Sequence, residues 1–147
     1  MVQRYQGVAI YCRVSSGDQK TKGDLTRQKD RLINHCVLNG YKITNIFEEV
    51  GSGLNDNRKK LKDLFKLIST NKISKVVIEH KDRLTRFNYQ IFEYFFNSYG
   101  VTIDCIEKIL PKSFENELVE DILTIMMSYS AKIYGKRSHQ NKKHEDK

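Results

Sequence analysis

Four of the eight arginines in this sequence fall in three short segments that also hold serine or aspartate. The first is Tyr11-Cys12-Arg13-Val14-Ser15-Ser16-Gly17-Asp18-Gln19. The second is Gly51-Ser52-Gly53-Leu54-Asn55-Asp56-Asn57-Arg58, and the third Asp82-Arg83-Leu84-Thr85-Arg86. Lysine supplies most of the other positive charge, so arginine at these places is informative. A guanidinium forks onto a phosphate with two parallel N–H donors, which an ammonium cannot do. Several of them around one serine hydroxyl would bind a phosphodiester and stabilise charge growing on its oxygens. They would also favour the serine alkoxide and act on the leaving oxygen. Asp82 would orient an arginine or relay a proton. A single such arginine is an ordinary surface ion-pair partner; half of all the arginines gathered in three loops is a pattern.

The elements that must position these loops alternate. Short apolar runs predict strands at Val8–Cys12, Tyr41–Val50, Lys75–Glu79 and Val101–Ile106. Between them lie helical faces. Leu25, Leu32, Ile33, Cys36 and Val37 follow Asp24 as N-cap and stop at Gly40. Gly17 to Gly23 reads as a polar break before that helix. Leu61, Leu64, Phe65 and Ile68 form a second face, and Ile91, Phe92, Phe95, Phe96 and Tyr99 a third, stopped at Gly100. This order predicts an α/β fold, a mainly parallel sheet of four to five strands with helices on both faces. All three arginine-bearing loops then sit at strand carboxyl ends, where such sheets gather functional groups.

From about Phe114 to 137 a long C-terminal helix is expected. One apolar stripe is Leu118, Ile122, Ile125, Met126, Tyr129 and Ile133, and a second is Val119, Leu123, Met127 and Tyr134. Two stripes exceed what a one-sided surface helix needs, so self-association through this helix is expected.

The chain has 147 residues, one Pro and 39% apolar content, enough for one domain with its own core and unlike a disordered chain. Residues 1–137 are taken as that domain and 138–147 as a basic, disordered tail. Net charge is +8, and between Lys132 and Lys147 there are six basic and two acidic residues. Such a bias favours polyanions. No apolar run is long enough to cross a membrane, and no signal-peptide layout opens the sequence, so a cytoplasmic address is expected. Cys12, Cys36 and Cys105 are odd in number and set in apolar stretches, so they are expected as core residues. His35, His80, His139 and His144 show no metal-ligand spacing. Neither a Walker A loop nor a Gly-x-Gly-x-x-Gly turn is present. No metal or cofactor is expected. A cysteine phosphatase would need an arginine at a fixed distance after Cys12, where Asp18 stands.

Tyr11-Cys12-Arg13-Val14-Ser15, with Gln19 and Gln28 after it, resembles the opening motif of the serine recombinases, the resolvases and invertases. The Gly51-Ser52-Gly53 loop ending in Arg58 and followed by Leu61 is similar to that family's second motif, and Asp82-Arg83-Leu84-Thr85-Arg86 to its third. The ordered resemblance runs from about Val8 to Ile106, with a long terminal helix after it. The end of the chain, from Glu117 to His139, resembles the small recombinases of insertion-sequence transposons.

This resemblance implies a resolvase-like fold and a mechanism. Ser15 would attack a DNA phosphodiester, form a 5′-phosphoserine link, leave a 3′-hydroxyl and later religate, without metal or cofactor. By position Arg13, Arg83 and Arg86 match the phosphate-binding arginines, Arg58 the arginine after the family's mobile loop, and Asp82 the acidic partner. Tyr11, Gln19, Gln28 and Ser52 match supporting polar residues. The implied partners are DNA and further copies of the chain, a homodimer assembling into a synaptic homotetramer through the long helix. The chain departs from resolvases in reading Ser130-Ala131-Lys132-Ile133-Tyr134 where they carry a Glu-Arg pair, with Arg137 at a later basic position. It also shows no helix-turn-helix. The competing readings are a catalytically inactive flavodoxin-like oligomerisation or regulatory module and a phosphate-binding hydrolase using Ser15.

Overall fold

Strands and helices alternate along the chain in a computed structural model that describes residues 7–17, 19–54, 58–108 and 114–145. The chain divides into two units, Met1–Pro111 and Lys112–Lys147. In the first unit β1 (Gly7–Val14), α1 (Gln19–Leu38), β2 (Ile43–Val50), α2 (Lys59–Ile68), β3 (Ile73–Ile78), α3 (Tyr89–Ser98) and β4 (Thr102–Cys105) follow one another, with a 3-10 turn at Lys81–Arg83. The four strands form one parallel sheet in the order β2-β1-β3-β4.

Both faces of the sheet are covered, and the alternation along β1 shows how. Ala9 and Tyr11 join Leu61, Leu64, Ile68 and Phe96 in a core shared with α2 and α3. Val8, Ile10 and Cys12 turn the other way, onto Leu32 and Cys36 of α1. β1 is buried along its whole length, as a central strand flanked on both faces must be. Phe65, Phe92, Phe95 and Phe96 pack edge to face or tilted, with centroids 5.1 to 6.4 Å apart. Gly40 and Gly100 end their helices with φ of +70° and +75°, a backbone that favours glycine.

Two helix boundaries differ from the expected ones. α1 starts at Gln19, so the segment expected as a break up to Gly23 is mostly helix, and Asp24 is not a cap. Gln, Lys and Thr carry no apolar rhythm to advertise this first turn. An exposed Gly inside a helix lowers its stability by only about 1 kcal/mol. In the second unit α4 runs from Phe114 to Glu145, past the end expected near 137. Gly135 does not stop it, because a glycine ends a helix only when its backbone turns left-handed, and Gly135 is not among the positive-φ residues. At 32 residues and 1.5 Å per residue, α4 is about 48 Å long. Ile122, Met126, Tyr129 and Ile133 of one stripe and Val119, Leu123, Met127 and Tyr134 of the other are all exposed.

Candidate active site

The sheet order sets the place. β1 sends its chain to β2 on one side, and β3 sends its chain to β4 on the other. The crevice at the carboxyl ends of β1 and β3 is therefore the topological switch point, where this class of sheet binds ligands. Ser15 is the first residue after β1, the Gly51 loop follows β2, and the Asp82–Arg86 segment follows β3. Backbone bonds tie the three together. Gly51 N–H donates to Val14 O at 2.9 Å, and Arg86 N–H to Gly53 O at 3.3 Å.

Of the four arginines singled out in the sequence, Arg13, Arg58 and Arg83 are buried here, and Arg86 buries its side chain. Arg13 donates from Nε to Arg83 O at 3.0 Å, from Nη1 to Gly51 O at 2.8 Å and from Nη2 to Asp82 O at 2.5 Å. Arg58 donates from Nη1 to the Tyr11 hydroxyl at 3.1 Å and to Arg83 O at 3.3 Å, and from Nη2 to Leu84 O. Arg83 returns a bond from Nη1 to Arg13 O at 2.7 Å and pairs through Nη2 with Asp82 Oδ2 at 2.8 Å. Arg86 Nη1 stands 3.5 Å from the same oxygen. The guanidiniums thus cross-link three loops mainly through backbone carbonyls. Asp82 Oδ2 stands within ion-pair distance of two arginines. Gly53 permits this closeness: a Cβ there would lie 3.1 Å from Arg13 Nη2.

The supporting residues divide. Tyr11 and Gln28 belong to the cluster. Gln28 accepts from Arg13 N–H at 3.3 Å and donates to Arg13 O at 2.9 Å, clamping the backbone two residues before Ser15. Burial holds the Tyr11 phenol well above its ordinary pKa, against the pull of Arg58, so it stays neutral. Ser52 lies in the tied loop, its Oγ accepting from Leu54 N–H at 3.1 Å. Gln19 is exposed at the first position of α1, and among the described residues no bond joins it to the cluster.

The two candidate serines differ. Ser16 Oγ lies 3.3 Å from Thr21 Oγ1, which itself donates to Ser16 O, so Ser16 serves the start of α1. Ser15 is half-buried, and among the described residues no hydrogen bond holds its hydroxyl. The neighbouring thiol of Cys12 is buried and pushed up to about 12, which leaves it protonated and non-nucleophilic at neutral pH. Of the second loop, 55–57 lie outside the described residues; Gly51 and Gly53 are tied as above. Among the described residues no group of three or more metal-ligand side chains is present, and no helix is long and apolar enough to cross a membrane.

One residue escaped the sequence. Glu49 is buried, accepts the Tyr11 hydroxyl at 3.0 Å, and caps α2 by accepting from Lys60 N–H at 3.1 Å and Leu61 N–H at 3.0 Å. It anchors the helix that begins just after Arg58. The signal was its position in β2, inward in the alternation, where a charge needs a partner. Four buried guanidiniums therefore face two carboxylates, Asp82 and Glu49. The excess positive charge, held in a low dielectric at a switch point, suits an anion.

Known proteins share this sequence pattern and fold. Residues 8–147 match the family model described as resolvase, N terminal domain. The chain is similar to the C-terminal catalytic domain of ISC1926 TnpA, an IS607-like serine recombinase, with TM-score 0.80 and 42% identity over 90% of this chain and 89% of that one. It is also similar to a serine recombinase from Sulfolobus solfataricus, with TM-score 0.76 and 34% identity over 90% of this chain and 88% of that one. A protein of Acanthamoeba polyphaga mimivirus named as a resolvase is 39% identical over 129 residues, 87% of this chain but 64% of that relative. The chain thus spans just under two thirds of that relative's length. With the three motifs in order on the parallel sheet that these structures share, the chain belongs to the resolvase family of serine recombinases.

Proposed function

We propose that this chain is the catalytic domain of a site-specific DNA recombinase acting as a transposase. The observation that carries this is the set of four guanidiniums and Asp82 gathered beneath the strand end that presents an uncommitted Ser15 hydroxyl. Ser15 Oγ attacks a DNA phosphorus, the bond to the 3′-oxygen breaks, and the proton lost by serine ends on that 3′-oxygen. One phosphodiester is exchanged for a phosphoserine ester, so bond energy is retained for religation. The arginines, turning from carbonyl acceptors to phosphate oxygens, stabilise the charge in between. DNA is the partner this charge set suits. The exposed stripes of α4 suit further copies of the chain, a dimer and then a synaptic tetramer.

The test joins this chain to a DNA-binding module of known site and supplies DNA with paired sites. A covalent protein–DNA adduct on a denaturing gel is expected, lost with Ser15→Ala and kept with Ser16→Ala. Loss only with Ser16→Ala moves the nucleophile by one residue. A parent without adduct, in this form and in an activated or longer one, favours an oligomerisation module.

A further inference from the structure

Behind the site, on the α1 side of the sheet, a second charged network has no part in the chemistry just described. Glu79, one residue past β3, is 1% exposed. Arg27 of α1 straddles it, with Nη1 2.9 Å from Oε2 and Nη2 2.9 Å from Oε1. Arg31 adds Nη1 to Oε2 at 3.0 Å and reaches Glu107 with Nη2 at 3.0 Å. Arg27 Nε donates to Asp24 Oδ1 at 2.9 Å, and Asp24 Oδ2 accepts from Gln28 Nε2 at 3.1 Å. Gln28 is the residue that clamps the Arg13 backbone. The path is continuous: Glu79, Arg27, Asp24, Gln28, Arg13. At its other end Glu79 lies three residues before Asp82, whose turn is closed by Arg83 N–H to His80 O at 3.0 Å.

We infer that Arg27 is a positioning residue, one that locks the end of β1 carrying Ser15 in register with the turn after β3 carrying Asp82 and Arg83. It grips the end of β3 directly at Glu79 and reaches the end of β1 only through Asp24 and Gln28. Its fork fixes Glu79, and its Nε fixes Asp24 so that the Gln28 amide faces Arg13. A guanidinium is required: three donors are used in two directions, a geometry that an ammonium cannot copy. A registry of this kind acts on rate, because small displacements of reacting groups are expensive in catalysis. The inference rests on the proposed serine chemistry.

The competing role for a half-exposed arginine in a DNA enzyme is direct contact with DNA. Charge separates the two. Arg27→Gln removes a positive charge and Glu79→Gln a negative one, so electrostatic contact predicts opposite changes in DNA affinity. Registry predicts the same change in rate. At saturating DNA, single-turnover adduct formation by the DNA-targeted chain should fall about tenfold in each, and the double variant should fall no further than the worse single. Arg27→Lys should keep DNA affinity and still show the lower rate. Unchanged rates, or independent effects that multiply, overturn the inference. Amide exchange of Arg13 and Arg83, without DNA, gives the second readout. Both should exchange faster in Arg27→Gln, and unchanged exchange overturns the registry even if the parent makes no adduct. In that case the serine chemistry has failed separately.

Discussion

The two units of this chain bury opposite things. In residues 7–108 the core is apolar, and the side chains of Arg13, Arg58, Arg83, Arg86, Glu49, Glu79 and Asp82 are buried with it. In α4 apolar side chains on both stripes face outward. In the first unit the strands pair, helices cover both faces, and the guanidiniums of Arg13, Arg58 and Arg83 meet carbonyls or a carboxylate. The second carries more apolar surface than a lone helix in water can justify. A domain that must hold charge in fixed places needs a rigid frame. A helix that leaves its apolar surface open is what the proposed self-association would use.

The largest effect that could break this comparison is in the aromatic core. Phe96→Ala should lower stability by about 3–5 kcal/mol, read by urea unfolding. Met126→Ala, in the middle of α4, should leave the unfolding of the first unit within about 0.5 kcal/mol and instead weaken concentration-dependent association in sedimentation. A large loss of stability from Met126→Ala would show that the helix is not the exposed element described.

Next in size is Gly53→Ala. Its Cβ would press on Arg13 Nη2 at 3.1 Å, with a destabilisation of about 1–3 kcal/mol and loss of adduct. Smaller still is an alkaline effect. The Cys12 thiol has its pKa raised by burial to about 12, so its contribution is complete below the usual cysteine value and is lost as pH rises toward 12. Stability of the parent should therefore fall by about 1 kcal/mol more than that of Cys12→Ala near pH 10, since one unit of ionisation is worth about 1.4 kcal/mol. On the acid side burial alone would raise the Glu79 pKa, but the bonds from Arg27 and Arg31 hold it lowered. Its stabilisation is present at neutral pH and lost as pH falls below the usual glutamate range. The smallest change runs the other way. Gly23 is exposed inside α1 with open space around it, so Gly23→Ala should stabilise by about 0.5–1 kcal/mol, visible as a raised melting temperature.

The strands were legible because a central parallel strand is a plain apolar run, as in Val8–Cys12. Gly40 and Gly100 were legible as stops because the chain turns left-handed at both. The first turn of α1 was not, since Gln19 to Lys22 have polar side chains whatever they form. In the site, the arginines and Asp82 stood out by type and spacing. Their partners did not: Gly51 O, Asp82 O, Arg83 O and Leu84 O are backbone atoms, which every residue offers. Glu49 and Glu79 were hidden for a different reason. Each sits next to a strand's apolar run, and only the fold reveals which arginine or helix end meets it.

The bond between Arg83 and the Arg13 carbonyl joins residues 70 apart. During synthesis Arg13 and Ser15 leave the ribosome well before Asp82, Arg83 and Arg86. At 5–20 residues per second the interval is roughly 4 to 14 s. A nascent chain cut off before β3 would carry the serine without Asp82, Arg83 or Arg86. Under the proposed serine chemistry, the order of translation itself withholds DNA cleavage until the turn after β3 has been made.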